Sequence, residues 1–517
     1  MLRRVALAAI ALLCAGGVRA ESLRVGQFQD ATTLDPIGFL STFNATVTHH
    51  MFDGLIRRGA DMSLQPGLAL SWKAVSETEW ELVLRPGVRW HDGAPFTAED
   101  AKASIDRVER LNVPYGFKRY TRSIVDVSVV DPLRIRVRTK GPDPVLASEL
   151  SFLFVTKAEA LDLPSEAFNT GKAMIGTGPY RFVEYVRGTR TVVSRFDAYW
   201  GGKPGFDQVV LRPIPDESAR VAAMLAGDVD VIINVPPQDV EQLKRRGTVN
   251  VFVGPQDRVI MFLPSFAETA KGITDADGKP VEKNPFADIR VRRAISMAID
   301  RKALIARVLD GLAQPAAQAF PDGYQGSSPE LKPVAFDPEG AKKLLAEAGY
   351  ARGFGSTLHC SNKLFLRDRE SCEALASMLA RVGVKLSIVL VPGSQFNTER
   401  LKGEWPFYLQ SAGTGMGEIL PSFASVAPTP NVGPGLGPSN NQHYSNAEVD
   451  RLIMTAMRTM DDTQRWAMEA RAMELWVRED AGVIPTHRQL SILAARKGLR
   501  ITPREDGMYT PHELTVE

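Results

Sequence analysis

From Asn446 onward the apolar positions Val449, Leu452, Ile453, Ala456, Met457 and Met460 recur at the three-and-four spacing of one helix face, with Asn446 placed as the N-cap. Trp466, Ala470, Met473 and Val477 repeat the pattern and predict a second helix, and both stripes are read as core. Upstream the period changes to two. In WELVLRPG, Trp80, Leu82 and Leu84 alternate with Glu81, Val83 and Arg85, and DVSVVDPLRIRVRT predicts a hairpin turning at Asp131-Pro132. A strand at Leu23 and Val25 breaks into a polar loop at Asp30 to Pro36, and a helix is predicted from Thr42 through ATVTHHMFDGLI. Between these regions a strand at Ser356 to Cys360, a helix from Glu370 to Val382, the strand VKLSIVLVP and a third strand running into SAGTGMGE make a βαβ rhythm. In such a lobe ligands sit beyond the carboxyl ends of strands, so the loops at 361 to 368 and 411 to 418 are the cleft candidates.

The first twenty residues carry arginines, an apolar run from Val5 to Ala15, and Val18 and Ala20 where a signal peptidase reads; this predicts a secretory signal peptide, residues 1–20, and an exported protein in the periplasm. Removing Arg3, Arg4 and Arg19 leaves 59 basic residues against 60 acidic ones, a balance that argues against nucleic acid or an anionic membrane as partner. No later run is long enough to span a bilayer. Of the cysteines only Cys360 and Cys372 remain after cleavage, so one disulfide or two buried thiols are both open. A chain of 517 residues exceeds one ordinary domain, and two or more lobes are expected.

The stretch GVRWHDGAPFTAEDA places Trp90, His91, Asp92 and Glu99 together in the manner of an acid–base site. Local structure accounts for them instead: Asp92-Gly93 is a turn dipeptide, and Thr97 with Asp100 forms a capping box with aspartate in place of glutamate. Neighbours on an extended chain face opposite ways, so His91 and Asp92 do not make a base pair; Arg89 and His91 are read as solvated or turn-bonding, with Trp90 packed. His49 and His50 diverge on a helix, and a metal pair of His49 with Asp53 is weaker than a buried or capping role. The sequence contains no GxSxG, HExxH, CxxC or GxxxxGK[ST], so it lacks the common hydrolase, zinc and phosphate signatures.

The blocks TLDP, MFDGLI, PGLALSW, LRPGVRWHDGAPFTAEDAKASIDR, GTGPYRFVEY, YWGGKPGFDQVVLRPIPDESARVAAMLAGDVDVI, DIRVRRAISMAIDRKALI, AKKLLAEAGY and YSNAEVDRLI resemble, in this order, the family 5 extracellular solute-binding proteins, the peptide/nickel-type receptors of ABC importers. The resemblance implies an α/β periplasmic binding protein-like clamshell of the cluster C type. Lobe I would take residues 22–48, 176–258 and 484–517, an extra small α+β subdomain residues 49–175, and lobe II residues 259–483. It implies a binding protein with no enzymatic activity and no cofactor. Such a receptor closes on a small molecule such as a peptide, modified peptide, opine, glycoside or metal chelate. It then docks, as a monomer, on the transmembrane permease of an importer driven by a cytoplasmic ATPase. A non-transporting periplasmic sensor or chaperone of the same fold, and an exported hydrolase, are the alternatives.

In peptide-binding members a GWxxD-like motif supplies the aspartate that holds the ligand ammonium. Here its tryptophan falls on Ala412 and its aspartate on Gly415, and Glu418 is the nearest acid. The expected ligand-binding set is Thr32 and Thr33 in the first loop; Asn362, Lys363, Phe365 and Arg367 in the second; Ser411, Gly413, Gly415, Met416 and Glu418 in the third; and Asn441. The glycines at 413, 415 and 417 either leave volume for a bulky ligand or let backbone N–H groups meet an anion.

Overall fold

The computed structural model describes residues 22–39, 41–111, 113, 116–268, 271–362, 364–510 and 514–516. The signal-peptide segment and Lys363 lie outside the described residues. Two long strands, Val249–Pro264 and Ile484–Arg496, pair antiparallel and run through the centre of a 12-stranded sheet. On one side of this pair lie Val231–Ile233, Ser22–Gln27, Gln208–Pro213, Arg190–Arg195 and Tyr180–Val186. On the other lie Phe407–Ala412, Phe354–Asn362 and Ile273–Thr274, with Val384–Pro392 paired to Phe354–Asn362. Ser22–Gln27 is parallel to both of its neighbours, and so is Phe354–Asn362 to Val384–Pro392 and Phe407–Ala412. Each half is thus an α/β sheet of the expected rhythm, and the long pair is shared between them.

The reason these segments form interior strands is visible in Val249–Pro264. Val259, Met261 and Leu263 pack into one core, with Phe423, Tyr444 and Trp476, while Ile260 and Phe262 pack into another, with Phe286, Leu358 and Phe407. A strand apolar on both faces needs helices on both, and the helices Ile289–Met297, Asp368–Ala380 and Ala447–Ala456 supply the cover. Residues 55 to 155 form a third core around Trp90, Leu82, Ile135 and Val137, built on a four-stranded antiparallel sheet and the helix Ala98–Arg110. The Asp131-Pro132 hairpin and the Thr97–Asp100 capping box are both present.

This third unit is tied to the first half by a buried charge pair. Arg107 Nη1 and Nη2 donate to the two carboxylate oxygens of Asp35 at 2.8 and 2.7 Å, and neither side chain is exposed to solvent. Further bonds from Arg107 to the Ala160 and Leu163 carbonyls, and from Ser165 Oγ to Asp35, satisfy the remaining donors and acceptors. A buried ion pair of this kind holds only while every partner is present, since one orphaned charge costs several kcal/mol.

Three elements depart from the sequence reading. The helix at Thr42 stops at Thr48, because His50 to Gly54 are drawn into contacts with residues 178 to 180 and 154: Tyr180 N donates to the His50 carbonyl at 2.8 Å. The buried face of the helix Asp462–Glu474 is led by Arg465, Glu469, Ala472 and Met473, while Trp466 and Ala470 are half-buried. The stripe was displaced because a charged residue, Arg465, is taken inside by Glu418 at 2.9 Å. His91 is buried rather than solvated: its Nε2 meets the Gly178 carbonyl at 3.0 Å and its Nδ1 accepts from Gly176 N at 3.2 Å, so it straps the turn GTGP to the hairpin. Burial pushes its pKa down to about 4, and it serves as a neutral hydrogen-bonding ring.

Cys360, near the end of its strand, is bonded to Cys372 in the following helix, and both are fully buried. The bridge closes a loop of 12 residues around the candidate segment 361 to 368. Such a cross-link contributes about 3 kcal/mol. The Cys360→Ser/Cys372→Ser variant should unfold several degrees below the wild type in a thermal melt, and an unchanged midpoint contradicts a structural role.

Candidate functional site

The pairing of the two long strands shifts register twice, by a single residue between Ile260 and Met261 and over a longer break between Pro255 and Val259. Val249 to Pro255 pair with Leu490 to Arg496, and Val259 to Phe262 pair with Ile484 to Arg488, leaving Gln256, Asp257 and Arg258 outside the ladder. A break of this kind bends the strand and turns side chains off the sheet face. The freed backbone is caught by other elements: Asp257 N donates to the Glu505 carbonyl at 2.5 Å, and Arg488 Nε donates to the Gln256 carbonyl at 2.7 Å.

Asp257 then reaches the glycine-rich loop. Its carboxylate accepts from Thr414 N at 2.8 Å and from Gly415 N. The loop can come this close because residue 413 has no side chain: a Cβ there would stand 2.1 Å from the Asp257 carbonyl oxygen. Gly415 adopts φ +63°, which a β-carbon disfavours. Burial raises the Asp257 carboxyl to about 7, against the pull of the Gly415 and Thr414 N–H groups and of Arg488 and Arg258. The anion that these backbone donors meet is therefore internal to the chain.

Below this latch lies a cavity of about 360 Å³. The long strand contributes Gln256, Asp257 and Arg258; the glycine loop contributes Ser411, Gly413, Thr414 and Gly415; the C-terminal segment contributes Arg504, Asp506 and Met508. The rest of the wall is from the segments before residue 155. Tyr120 and Phe152 stack with centroids 4.6 Å apart, Phe117 and Phe154 extend the aromatic surface, and His49 stands edge-on to Phe154. A cavity of this size is at the small end of the range for ligand pockets, roughly 300–1000 Å³.

The charged groups in the wall differ in how far they are matched. Arg58 donates to Ser151 Oγ at 2.8 Å and to the carbonyls of Met62, Ser148 and Met416, tying the third core to the glycine loop; burial lowers it to about 10. Arg504 is bound to Asp506 at 2.7 Å. Asp53 accepts from Thr177 Oγ1, Tyr199 Oη and Trp200 Nε1, and burial raises its pKa against these bonds and the charge of Arg57. Arg258 stands over the Phe365 ring at 5.6 Å, and burial lowers its pKa, opposed by Asp257.

Of the expected ligand-binding residues, Ser411, Gly413 and Gly415 are brought together in the cavity wall. The others are elsewhere. Thr32 N donates to Asn44 Oδ1, and Thr33 Oγ1 to Asn169 Oδ1, so both brace the first loop. Asn362 ends its strand exposed; Phe365 packs on the core of the second half and reaches the site only through Arg258. Arg367 donates to Gln238 Oε1 at 3.0 Å and to Glu370 at 3.2 Å. Met416 is buried in the third core, and Asn441 Oδ1 accepts from Arg400 at 2.6 Å. Glu418 faces Arg465 and Glu469 outside the cavity lining, with its pKa raised by burial. His49 lies in the wall, but among the described residues no group of three His, Cys, Asp or Glu side chains is placed to hold a metal ion. The residues that sequence reasoning missed are Asp257, Arg258, Arg57 and Arg58; DRVI and IRR read as ordinary strand sequence, and an Asp-Arg pair amid apolar residues was the one available signal.

Comparison with known proteins agrees with this architecture. The family model described as bacterial extracellular solute-binding proteins, family 5 middle, matches residues 63–432. The chain is 28% identical over 474 residues to the glutathione-binding protein GsiB of Pectobacterium atrosepticum, covering 89% of this chain and 87% of that protein. Among solved structures it is similar to HbpA2 from Haemophilus parasuis, with TM-score 0.81 and 21% identity over 96% of this chain and 100% of that one. It is similar also to AgaA in complex with agropinic acid, from A. tumefaciens R10, with TM-score 0.72 and 24% identity over 96% and 99%.

Two measurements test the latch. Asp257 binds a proton more readily folded than at its ordinary 3.8, so the stability linked to it is present below about pH 4 and is lost as pH rises to about 7. Asp257→Asn keeps an oxygen for the two N–H donors and removes the titration. The melting temperature of wild type minus that of the variant should therefore fall between pH 4 and pH 7, and a pH-independent difference contradicts the assignment. Gly413→Ala forces Asp257 away from the loop, and a melting temperature and ligand affinity equal to wild type would contradict the close approach.

Proposed function

The chain belongs to the bacterial extracellular solute-binding proteins of family 5, and from that premise we propose that it captures a peptide-sized organic molecule in the cavity beside Asp257 and delivers it to an ABC permease. The observation that carries the reading is the cavity at the break in the long strand pair, since both halves of the molecule contribute wall to it. A ligand there touches both sides of the strand crossing. It shifts the open–closed equilibrium by its differential affinity for the closed form, and no bond need be made or broken.

The lobes are assigned as 22–48, 176–258 and 484–517 for the first, with 49–175 as its extra subdomain and 259–483 for the second. Separate hydrophobic cores on the two sides of the crossing strands support that division. The protein works in the periplasm, as a monomer, after loss of residues 1–20. None of the described helices is long and apolar enough to cross a membrane, so membrane contact is through the permease. The relatives bear names for glutathione and agropinic acid, and the absence of the ammonium-binding aspartate at Gly415 favours a modified peptide or an opine-like acid over a simple peptide.

Protein purified from its own cells should release a small molecule on unfolding, detectable by mass spectrometry. Returning that molecule to refolded protein should raise the melting temperature with concentration. Protein that carries no molecule, and whose melting point is insensitive to a metabolite extract of those cells, would defeat the reading.

A further inference from the structure

The cavity wall has an unbalanced pair of cations. Arg57 comes from the short strand Ile56–Arg58 in the subdomain, and Arg258 from the break in the long strand. Among the described residues neither guanidinium makes a hydrogen bond or an ion pair; each stands 5.6 Å from an aromatic ring, Trp200 for Arg57 and Phe365 for Arg258, and feels a carboxylate, Asp53 or Asp257, only through longer-range attraction. An arginine carries five N–H donors and stays charged, so two such half-buried groups facing one small cavity present donors that a ligand can take over from water.

The carboxylates in the same wall make no hydrogen bond or ion pair with these two arginines, and they are not open to a ligand cation either. Asp53 is engaged by Thr177, Tyr199 and Trp200, Asp257 by the Thr414 and Gly415 N–H groups, and Asp506 by Arg504. Arg58 and Arg504, the other wall arginines, are already satisfied by carbonyl groups and by Asp506. Four arginines thus face three aspartates, and two of the four, Arg57 and Arg258, have no bonded acceptor among the described residues. An ammonium group entering the cavity would find no unengaged carboxylate, whereas an acid group would find two unengaged forks.

Resting on the reading that this cavity is the ligand site, we propose that the ligand is an organic anion whose carboxylate or phosphate groups are received by Arg57 and Arg258, with its apolar part against Phe117, Tyr120, Phe152 and Phe154. An anion held by both arginines joins the subdomain to the crossing strand, so its charge also drives closure. Desolvation within the cavity strengthens such pairs beyond their strength in water.

The test begins with the molecule recovered from protein purified from its own cells, whose charge is read in both ion polarities. It should be an acid; a neutral or cationic molecule overturns the proposal and leaves the binding function standing. Refolded wild type, Arg57→Gln and Arg258→Gln are then titrated by calorimetry with the recovered molecule and with Glu-Ala-Glu, Ala-Ala-Ala and Lys-Ala-Lys. The recovered acid should bind each variant at least tenfold more weakly than wild type, while the melting temperature without ligand stays near that of wild type. If no molecule is recovered, wild type should still prefer Glu-Ala-Glu over Ala-Ala-Ala by at least tenfold and lose that preference in both variants. Unchanged affinity in both variants, or equal affinity for the three peptides, overturns the proposal. No recovered molecule together with no binding of any peptide overturns the binding reading itself.

Discussion

The antiparallel pairing of Val249–Pro264 with Ile484–Arg496 is the constraint on which the rest of the structure depends. Backbone hydrogen bonds along two continuous strands leave the halves of the molecule no independent placement, except where the ladder is interrupted. The interruption at Gln256 to Arg258 is the longer of the two register breaks on this pair, and the strand backbone there must find partners elsewhere. It finds them in Arg488, in the Glu505 carbonyl and in the glycine loop. A structural irregularity and the candidate site therefore coincide for one reason: only a residue released from the ladder can turn its side chain into a cavity between the halves.

The family-signature residues have a different use from the one their chemistry first suggests. Asp35 holds Arg107, Asp53 gathers Thr177, Tyr199 and Trp200, His91 binds the Gly176–Gly178 turn, and Trp90 donates to Asp100 at 3.3 Å. All are buried, and all but the local Trp90–Asp100 bond join segments far apart in the chain. Buried polar groups must be fully partnered, so a polar residue retained at such a point specifies one docking of the subdomain and no other. The aromatic side of the cavity is carried on that subdomain, and its position follows from these bonds.

The cavity itself separates two kinds of charge. Arg58 and Arg504 are structural, with their donors spent on carbonyls and on Asp506, and they fix the subdomain and the C-terminal segment against the glycine loop. Arg57 and Arg258 have no such employment among the described residues. The distinction is invisible from residue type, because it depends on which acceptors surround each guanidinium.

The sequence by itself determined the elements and the family. The alternation at Trp80 to Arg85, the hairpin at Asp131, the cap at Asn446 and the capping box at Thr97 are local, and each was decided by residues within a few positions of one another. Loop 411–418 was legible as a cleft candidate because it follows a strand of the βαβ rhythm, and Ser411, Gly413 and Gly415 line the cavity. What only the tertiary structure decided is which charged groups are matched. Glu418 is drawn into the core by Arg465, Arg367 is occupied by Gln238 and Glu370, and Asp257 arrives beside Gly415 from 158 positions away. Local periodicity carries the sign of burial for apolar residues. It does not carry the partner of a charge, because that partner is set by long-range strand pairing and by where that pairing breaks.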